Sequence, residues 1–323
     1  MCLTHRIWSL HRVFKRQFLP TVFLHGAITI SSCLAVGKPG EDSMLDEHGA
    51  VTFFDVDGTL VWSDDDPTAY EDEAAAFADY FANERPSEGV ADAFARMSER
   101  GHATFICTGR PYYMITPGLR ALNPTGVICG AGSYVRVGDT VVHEEHIPAD
   151  AVMETARLFF EAGIDVDVES NERLVGLYPT GGVCPYPGSL TVRSLDEFAA
   201  EAPKLNVNKF STRSVPAERI ARIMPYLTEH FTVSDMQFGV YEVALKGLDK
   251  GAAIGIVLDY LGHDRAQTFA FGDSENDLPM AGAVETFVAM GNALPRVKDT
   301  ADYVTDHVRD DGIVSALVHF GLI

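Results

Sequence analysis

The stretch that decides the fold of this chain is residues 51–60, Val-Thr-Phe-Phe-Asp-Val-Asp-Gly-Thr-Leu. Its first four residues form an apolar run that predicts a buried β-strand. Asp55 and Asp57 follow directly, and side chains two positions apart at a strand end can face one small site. Two unpaired carboxylates at such a short distance raise each other's pKa, and a cation such as Mg²⁺ would relieve the repulsion. An acidic turn is the alternative interpretation, because Asp-Gly is a common turn dipeptide.

The bulk composition narrows the class of protein. The chain has 323 residues, of which 46% are hydrophobic, and this length suggests about two globular domains. The formal net charge of −21 argues against nucleic acid as a partner, because phosphate backbones bind Lys and Arg. The five cysteines are scattered without a C-x-x-C pair, which indicates reduced thiols and a cytoplasmic location.

The first 43 residues differ from the rest of the chain. They contain five basic and two acidic residues, and an apolar stretch at 18–36 resembles a signal peptide or a membrane anchor. Pro20 and His25 interrupt that stretch. We interpret Met44 as the true start, with residues 1–43 a mis-assigned or disordered extension, and expect no stable membrane association. Export or anchoring through residues 1–37 is the alternative.

Apolar strands alternate with helical segments on both sides of a different middle section. The predicted core strands are 51–54, 102–107, 125–129, 268–271 and 285–290. This alternation predicts an α/β fold with a Rossmann-like parallel sheet and crossover helices. In such sheets ligands bind at the carboxyl ends of the strands, which is where Asp55 and Thr108 lie.

The middle section begins with a hairpin pattern and continues with mixed helices and strands. We predict that it is an inserted α+β domain covering residues 134–244. The core would then be formed by residues 44–133 together with 245–323.

Four polar motifs follow the predicted strands or open a helix. In chain order they are Asp-Val-Asp-Gly-Thr-Leu at 55–60, Thr-Gly-Arg at 108–110, Lys-Gly at 250–251 and Gly-Asp-Ser-Glu-Asn-Asp at 272–277. As a set they resemble the haloacid dehalogenase (HAD) superfamily of phosphohydrolases. More narrowly, they resemble its Cof-type, sugar-phosphatase-like branch, in which a type IIB α+β cap is inserted between the second and third motifs. The resemblance covers about residues 51–317.

This resemblance implies roles for the acidic residues. Asp55 would attack phosphorus and form an aspartyl-phosphate. Asp57 would protonate the leaving alcohol and later activate water, a role that needs a pKa raised toward neutral. Mg²⁺ would be held by the Asp55 carboxylate, the main-chain carbonyl of Asp57 and Asp273. Asp277 would orient water or Lys250.

It also implies which groups contact the substrate. Thr108 and Lys250 would bind the phosphoryl oxygens with help from Asn276. Arg110 and, in the cap, Lys209 are further candidates for substrate contacts, although surface salt bridges are an equal alternative for both. The chain departs from its relatives at Cys129, where they commonly carry Asn.

The sequence therefore predicts a Mg²⁺-dependent phosphatase that acts on small phosphorylated metabolites, such as a sugar phosphate or a phosphorylated cofactor. The alternatives are a phosphomutase of the same superfamily, a receiver-like phosphoacceptor module and a non-catalytic binder. Asp57 and the large insertion argue against a receiver-like module, because a signalling domain needs no acid for a leaving group.

Overall fold

The computed structural model describes residues 49–63, 72–236 and 239–323. The predicted N-terminal extension and the acidic run Asp64-Asp65-Asp66 lie outside these residues. In the part of the chain that is described, no helix combines the length and the apolar character needed to cross a bilayer.

The described strands and helices follow one another in chain order. The strands are β1 (Val51–Phe54), β2 (Ala103–Cys107), β3 (Gly126–Cys129), β4 (Tyr134–Val137), β5 (Thr140–Glu144), β6 (Val166–Ser170), β7 (Leu174–Leu177), β8 (Leu190–Val192), β9 (Val207–Thr212), β10 (Phe231–Asp235), β11 (Tyr241–Leu245), β12 (Thr268–Gly272), β13 (Thr286–Ala289) and β14 (Tyr303–Val304). The α-helices are α1 (Glu73–Asn83), α2 (Glu88–Glu99), α3 (Pro117–Arg120), α4 (Ala149–Glu161), α5 (Leu195–Glu201), α6 (Ala217–His230), α7 (Lys250–Leu261), α8 (Leu278–Ala283), α9 (Pro295–Thr300) and α10 (Gly312–His319).

The larger sheet has eight strands in the order β14-β13-β12-β1-β2-β3-β4-β5. Its first six strands run parallel, with Phe54 of β1 opposite Phe271 of β12 and Ile106 of β2. The whole of β1 is buried, as expected for a parallel strand covered on both faces. The rings of Phe54 and Phe271 stack with their centroids 4.9 Å apart. The structure thus confirms the predicted α/β core, with β1 near its centre.

The hairpin of β4 and β5 corrects one predicted boundary. The sequence interpretation began the inserted domain at residue 134, but β4 pairs antiparallel with β3 and extends the larger sheet. Val135 and Val137 are buried in the core of that sheet. The same hairpin pattern would be found in the sequence whichever sheet the hairpin joined, because the sequence does not show which strand it pairs with.

Residues 145–245, which we call the insertion, form a second sheet. Its six strands have the order β10-β11-β9-β6-β7-β8, and all neighbours are antiparallel except β7 and β8. The insertion has its own hydrophobic cluster, which includes Phe159, Val168, Phe210 and Leu227. Apolar residues alternate with polar ones along β6, so the opposite face of this strand is polar.

Candidate active site

Three of the predicted motifs meet at the carboxyl edge of the larger sheet. Asp55, Thr108 and Asp273 follow β1, β2 and β12, which are adjacent parallel strands. The amide N–H of Asp55 donates to Phe271 O at 3.0 Å, so the ladder between β1 and β12 continues to the first site residue. The edge of the sheet therefore collects side chains that are far apart in the sequence.

Lys250, the first residue of α7, supplies the positive charge of the site. Its Nζ donates to Asp55 Oδ1 at 2.5 Å and to Asp277 Oδ1 at 2.6 Å, and all three side chains are buried. Burial works to lower the pKa of Lys250, but Asp277 and Asp55 outweigh it and hold the pKa well above its usual value. The pKa of Asp55 is raised, first by burial and then by Asp277, while Lys250 opposes both.

Asp277 fixes the loop that carries Asp273. Its Oδ2 accepts the backbone N–H groups of Asp273 and Ser274, each at 2.9 Å, while its Oδ1 accepts from Lys250. Both oxygens of this buried carboxylate are therefore occupied. Asp277 therefore connects Lys250 to the loop that carries Asp273.

Asp273 contributes an oxygen that has no partner among the described residues. Its Oδ1 is buried without a hydrogen bond, and oxygens of Asp55, Asp273 and Asp277 lie within 4.8 Å of one another. Burial and then the charge of Asp277 raise the pKa of Asp273 to about 7. Clustered carboxylate oxygens are the ligands that hard divalent cations prefer, so this site fits such an ion. The third residue of this cluster is Asp277. The sequence instead implied the main-chain carbonyl of Asp57 as the third metal ligand.

Gly58 keeps this acidic cluster open. It has φ +81°, and a Cβ at this position would collide with the carboxylate of Asp273. Its carbonyl accepts a hydrogen bond from Asn292 Nδ2 at 2.7 Å. A glycine is thus required both by the left-handed backbone and by the close approach.

Asp57 has different surroundings from Asp55. Its side chain is 59% exposed, whereas that of Asp55 is 6% exposed. Arg110 donates to both of its oxygens, with Nε at 2.9 Å and Nη2 at 2.5 Å, and also holds buried Glu84 at 2.8 and 2.6 Å. Desolvation works to raise the pKa of Asp57, but the charge and hydrogen bonds of Arg110 outweigh it and leave the pKa below its usual value. This direction is opposite to the one expected from the sequence, since the neighbour that dominates is a cation.

The other two predicted phosphate ligands, Thr108 and Asn276, line one cavity with Asp55 and Asp57. Thr108 is buried, and its Oγ accepts the backbone N–H of Arg110 at 3.1 Å, which leaves its hydroxyl proton to donate. Asn276 Oδ1 accepts from Ser274 Oγ at 2.8 Å. Both residues line a cavity of about 1450 Å³ together with Asp55 and Asp57.

Lys209 connects the insertion to the larger sheet across this cavity. Its Nζ donates to the Gly109 carbonyl at 3.0 Å and to Glu242 at 2.5 Å, and it lies 3.4 Å from Glu169. Burial works to lower the pKa of Lys209, but Glu169 and Glu242 raise it above its usual value. Lys209, a predicted candidate for substrate contact, lines the cavity, but its three donors face protein acceptors.

Comparison with known proteins identifies the family of this chain. The family model for haloacid dehalogenase-like hydrolases matches residues 52–317. The chain belongs to this family. Since the relatives reported below include phosphatases, this HAD hydrolase is an enzyme of the phosphatase type.

Individual relatives cover most of this HAD chain. YkrA of Bacillus subtilis strain 168 is 25% identical over 281 residues, which are 84% of this chain and 97% of YkrA. HMP-PP phosphatase of Serratia proteamaculans strain 568 is 27% identical over 239 residues, 70% of this chain and 85% of that protein. The structure of BT4131, a HAD subclass IIB sugar phosphatase, matches with a TM-score of 0.67 and 26% identity, over 85% of this chain and all of that one.

Several residues of the HAD site escaped the sequence interpretation. Glu84 gave no signal, because its partner Arg110 is distant in the chain. The acids of β6 did leave a signal, since Asp167 and Glu169 alternate with Val166 and Val168. Such alternation predicts a polar face on this strand.

Proposed function

We propose that this HAD phosphatase is Mg²⁺-dependent and hydrolyses small phosphorylated metabolites through an aspartyl-phosphate on Asp55. The observation that carries the proposal is the buried trio of Asp55, Lys250 and Asp277 at the edge of a cavity that Asp55 lines. A buried carboxylate that is held by an ammonium on one oxygen can present its other oxygen to phosphorus.

The phosphoryl group would be received by residues from three motifs. The ammonium of Lys250 and the hydroxyl of Thr108 would donate to its oxygens, and Thr108 and Asn276 both line the cavity. Phosphoryl transfer needs mainly positioning and neutralisation of charge on these oxygens. The buried positive charge of Lys250 supports this role.

Asp55 and Asp273, with the Asp57 carbonyl, would hold Mg²⁺. Bound there, the ion would neutralise charge on the phosphoryl group and on the clustered carboxylates. The unpartnered Oδ1 of Asp273 and its raised pKa support this assignment.

Asp57 would serve as the acid and base of the reaction. While Arg110 holds it, Asp57 is ionised, which is the form needed to take a proton from the water that hydrolyses the aspartyl-phosphate. To protonate a leaving alcohol it must separate from Arg110 and gain a proton. Arg110 is thus proposed as the partner of Asp57, in addition to its predicted contact with substrate.

We further propose that the insertion acts as the cap, and that the substrate is a small metabolite held between cap and core. The shared cavity and the likeness to a subclass IIB sugar phosphatase support this proposal. A cytoplasmic location is supported by the described cysteines Cys107, Cys129 and Cys184, which are free and buried.

A phosphatase assay tests the proposal. The protein should release inorganic phosphate from p-nitrophenyl phosphate with Mg²⁺ and lose this activity with EDTA. Asp55→Asn should reduce kcat by about 10³-fold or more, because the amide cannot act as the nucleophile. Asp259→Asn, an exposed change on α7, is the matched control and should keep full activity.

The outcome also separates the alternatives. Near-normal activity in Asp55→Asn would exclude Asp55 as the nucleophile. Transfer of the phosphoryl group within a sugar phosphate, without release of inorganic phosphate, would identify a phosphomutase instead.

A further inference from the structure

The insertion presents an acidic face to the active-site cavity. β6 and β9 run antiparallel, with Asp167 opposite Ser211 and Glu169 opposite Lys209. These four residues line the cavity, and Glu242 of the neighbouring β11 joins them. The face lines the same cavity as Asp55 and Thr108, so the alcohol part of a substrate whose phosphate is bound at Asp55 would contact it.

Most charges on this face are already satisfied. Lys209 lies between Glu169 and Glu242, and Ser211 donates a hydrogen bond to Glu169. Arg213 is paired with Glu73 at 2.9 Å and stacks on the ring of Phe77 at 5.4 Å.

Asp167 is the exception. It is only 1% exposed, and its Oδ1 accepts from Tyr178 Oη at 2.8 Å and from Cys184 Sγ at 3.4 Å. Its Oδ2 is buried with no hydrogen-bond partner among the described residues. Burial raises the pKa of Asp167 to about 6, although Tyr178 and Cys184 work to lower it. A buried carboxylate oxygen without a donor is costly, and a ligand that brings a donor removes the cost.

The charge balance of the cavity indicates which donors fit. On the insertion side, the acidic lining residues are Asp165, Asp167, Glu169 and Glu242, and the basic ones are Lys209 and Arg213. Both cations already form ion pairs with protein carboxylates, Lys209 with Glu242 and Arg213 with Glu73. A second anionic group on the substrate would therefore meet a net negative wall without a free cation among the described residues.

We propose that Asp167 Oδ2 selects phosphate monoesters whose alcohol part carries a hydroxyl or amino donor and no second anionic group. The inference rests on the proposed phosphatase function and adds the chemistry of the leaving group. Asp167 is a specificity-determining residue on this view, and Tyr178 positions it by holding Oδ1.

The wild-type protein provides the first test. kcat/KM is measured for glucose 6-phosphate, glucosamine 6-phosphate, 6-phosphogluconate and p-nitrophenyl phosphate. Glucose 6-phosphate and 6-phosphogluconate both carry several hydroxyls, but only the second has a carboxylate. We expect glucose or glucosamine 6-phosphate to exceed 6-phosphogluconate by about tenfold or more, and the better of the two identifies a hydroxyl or an amino group as the donor. Equal rates, or a preference for 6-phosphogluconate, would overturn the proposal.

The second test changes the acceptor. In Asp167→Asn the amide oxygen can still accept from Tyr178, so the NH₂ group replaces Oδ2 and presents donors to the cavity. Loss of a hydrogen bond to a charged group predicts that kcat/KM for glucosamine or glucose 6-phosphate falls roughly ten- to hundredfold. The fall for p-nitrophenyl phosphate should be at least tenfold smaller, and 6-phosphogluconate should gain relative to glucose 6-phosphate. Asp196→Asn, an exposed change on α5 away from the cavity, is the matched control.

A structural role for Asp167 predicts a different result. It would lower all four activities in parallel, and that outcome contradicts the proposal, as does a variant with unchanged preferences. The wild type could hydrolyse p-nitrophenyl phosphate and yet not prefer glucose or glucosamine 6-phosphate over 6-phosphogluconate. The inference would then fail while the phosphatase function stands. Absence of any turnover by the wild type would remove both.

Discussion

At the residue scale, the two carboxylates of the opening motif differ in their burial and in their charged partners. Asp55 is buried against Lys250, whereas Asp57 is largely exposed and bound to Arg110. The motif predicted where both would lie, because the strand end fixes their backbone. It did not predict the partner of Asp57, since Arg110 comes from the loop after a different strand. The direction of a pKa shift depends on such partners and cannot be read from the acidic motif alone.

Asp167 gives a prediction about pH and stability. Its folded-state pKa of about 6 lies above the usual 3.8, so the folded protein loses stability as pH rises from about 4 to 6, and the loss persists at higher pH. Asp167→Asn removes this cost. It should raise the free energy of unfolding by about 1 kcal/mol at pH 4.5 and about 3 kcal/mol at pH 7.5.

Urea unfolding at the two pH values measures this difference. Asp196→Asn should show no comparable gain. A gain of equal size at both pH values would show that the pKa of Asp167 is not raised by folding. Combined with reduced activity, a more stable variant would mark Asp167 as a residue kept for function at the expense of stability.

At the element scale, the turn after β1 depends on a residue with no side chain. Gly58→Ala would place a methyl group against Asp273 and strain a backbone with φ +81°. We expect the Mg²⁺ concentration for half-maximal activity to rise about tenfold or more, equivalent to ~1.4 kcal/mol. Mg²⁺ titration of the initial rate is the measurement.

Gly138 offers a matched control for this substitution. It also has positive φ, +54°, but a Cβ there would meet no atom within 4 Å. Gly138→Ala should therefore lose about 1 kcal/mol of stability and keep its response to Mg²⁺. If both variants respond alike, steric contact with Asp273 is not the reason for Gly58.

The residue that ends α1 also reaches the active site. Glu84 is its C-terminal cap and holds Arg110 with two hydrogen bonds, while Thr116 Oγ donates to it at 3.1 Å. Glu84→Gln keeps the shape but removes the charge and one acceptor. We expect a loss of about 1–3 kcal/mol in the free energy of unfolding and a shift in the acidic limb of the kcat/KM pH profile, because Arg110 is freed to bind Asp57 alone.

Thermal unfolding and a pH profile together test this. Glu99→Gln, an exposed glutamate at the end of α2, should change neither. A stability loss without any change in the pH profile would limit Glu84 to a structural role.

The elements were predicted unevenly, and the reasons are physical. β1, β2 and β12 were found because buried parallel strands are short apolar runs followed by polar motifs. α7 was found from its helical pattern opening at Lys250. β7 was missed, because Leu174–Leu177 is only four residues long and contains Gly176, which weakens a strand pattern. The hairpin of β4 and β5 was recognised but assigned to the wrong sheet.

At the scale of the whole molecule, the sequence predicted two domains and the sheet edge at which the site lies. It did not predict how they meet. The Glu73–Arg213 pair between α1 and the insertion is 41% and 21% exposed, so its contribution is about 0–1 kcal/mol. Separation of the insertion from the core, which substrate entry would need, would break this weak pair together with the partly buried Lys209–Gly109 hydrogen bond.

The position of β1 has a consequence for synthesis of the protein. Val51 of β1 pairs with Thr268 of β12, which the ribosome adds more than two hundred residues later. The nascent chain therefore carries Asp55 and Asp57 long before it carries Lys250, Asp273 or Asp277. Until then Asp55 lacks its counter-charge Lys250 and β1 lacks its neighbour β12, so under the proposed mechanism a partly made chain would not hydrolyse phosphate esters. The first turnover by a molecule would report that its central sheet has closed.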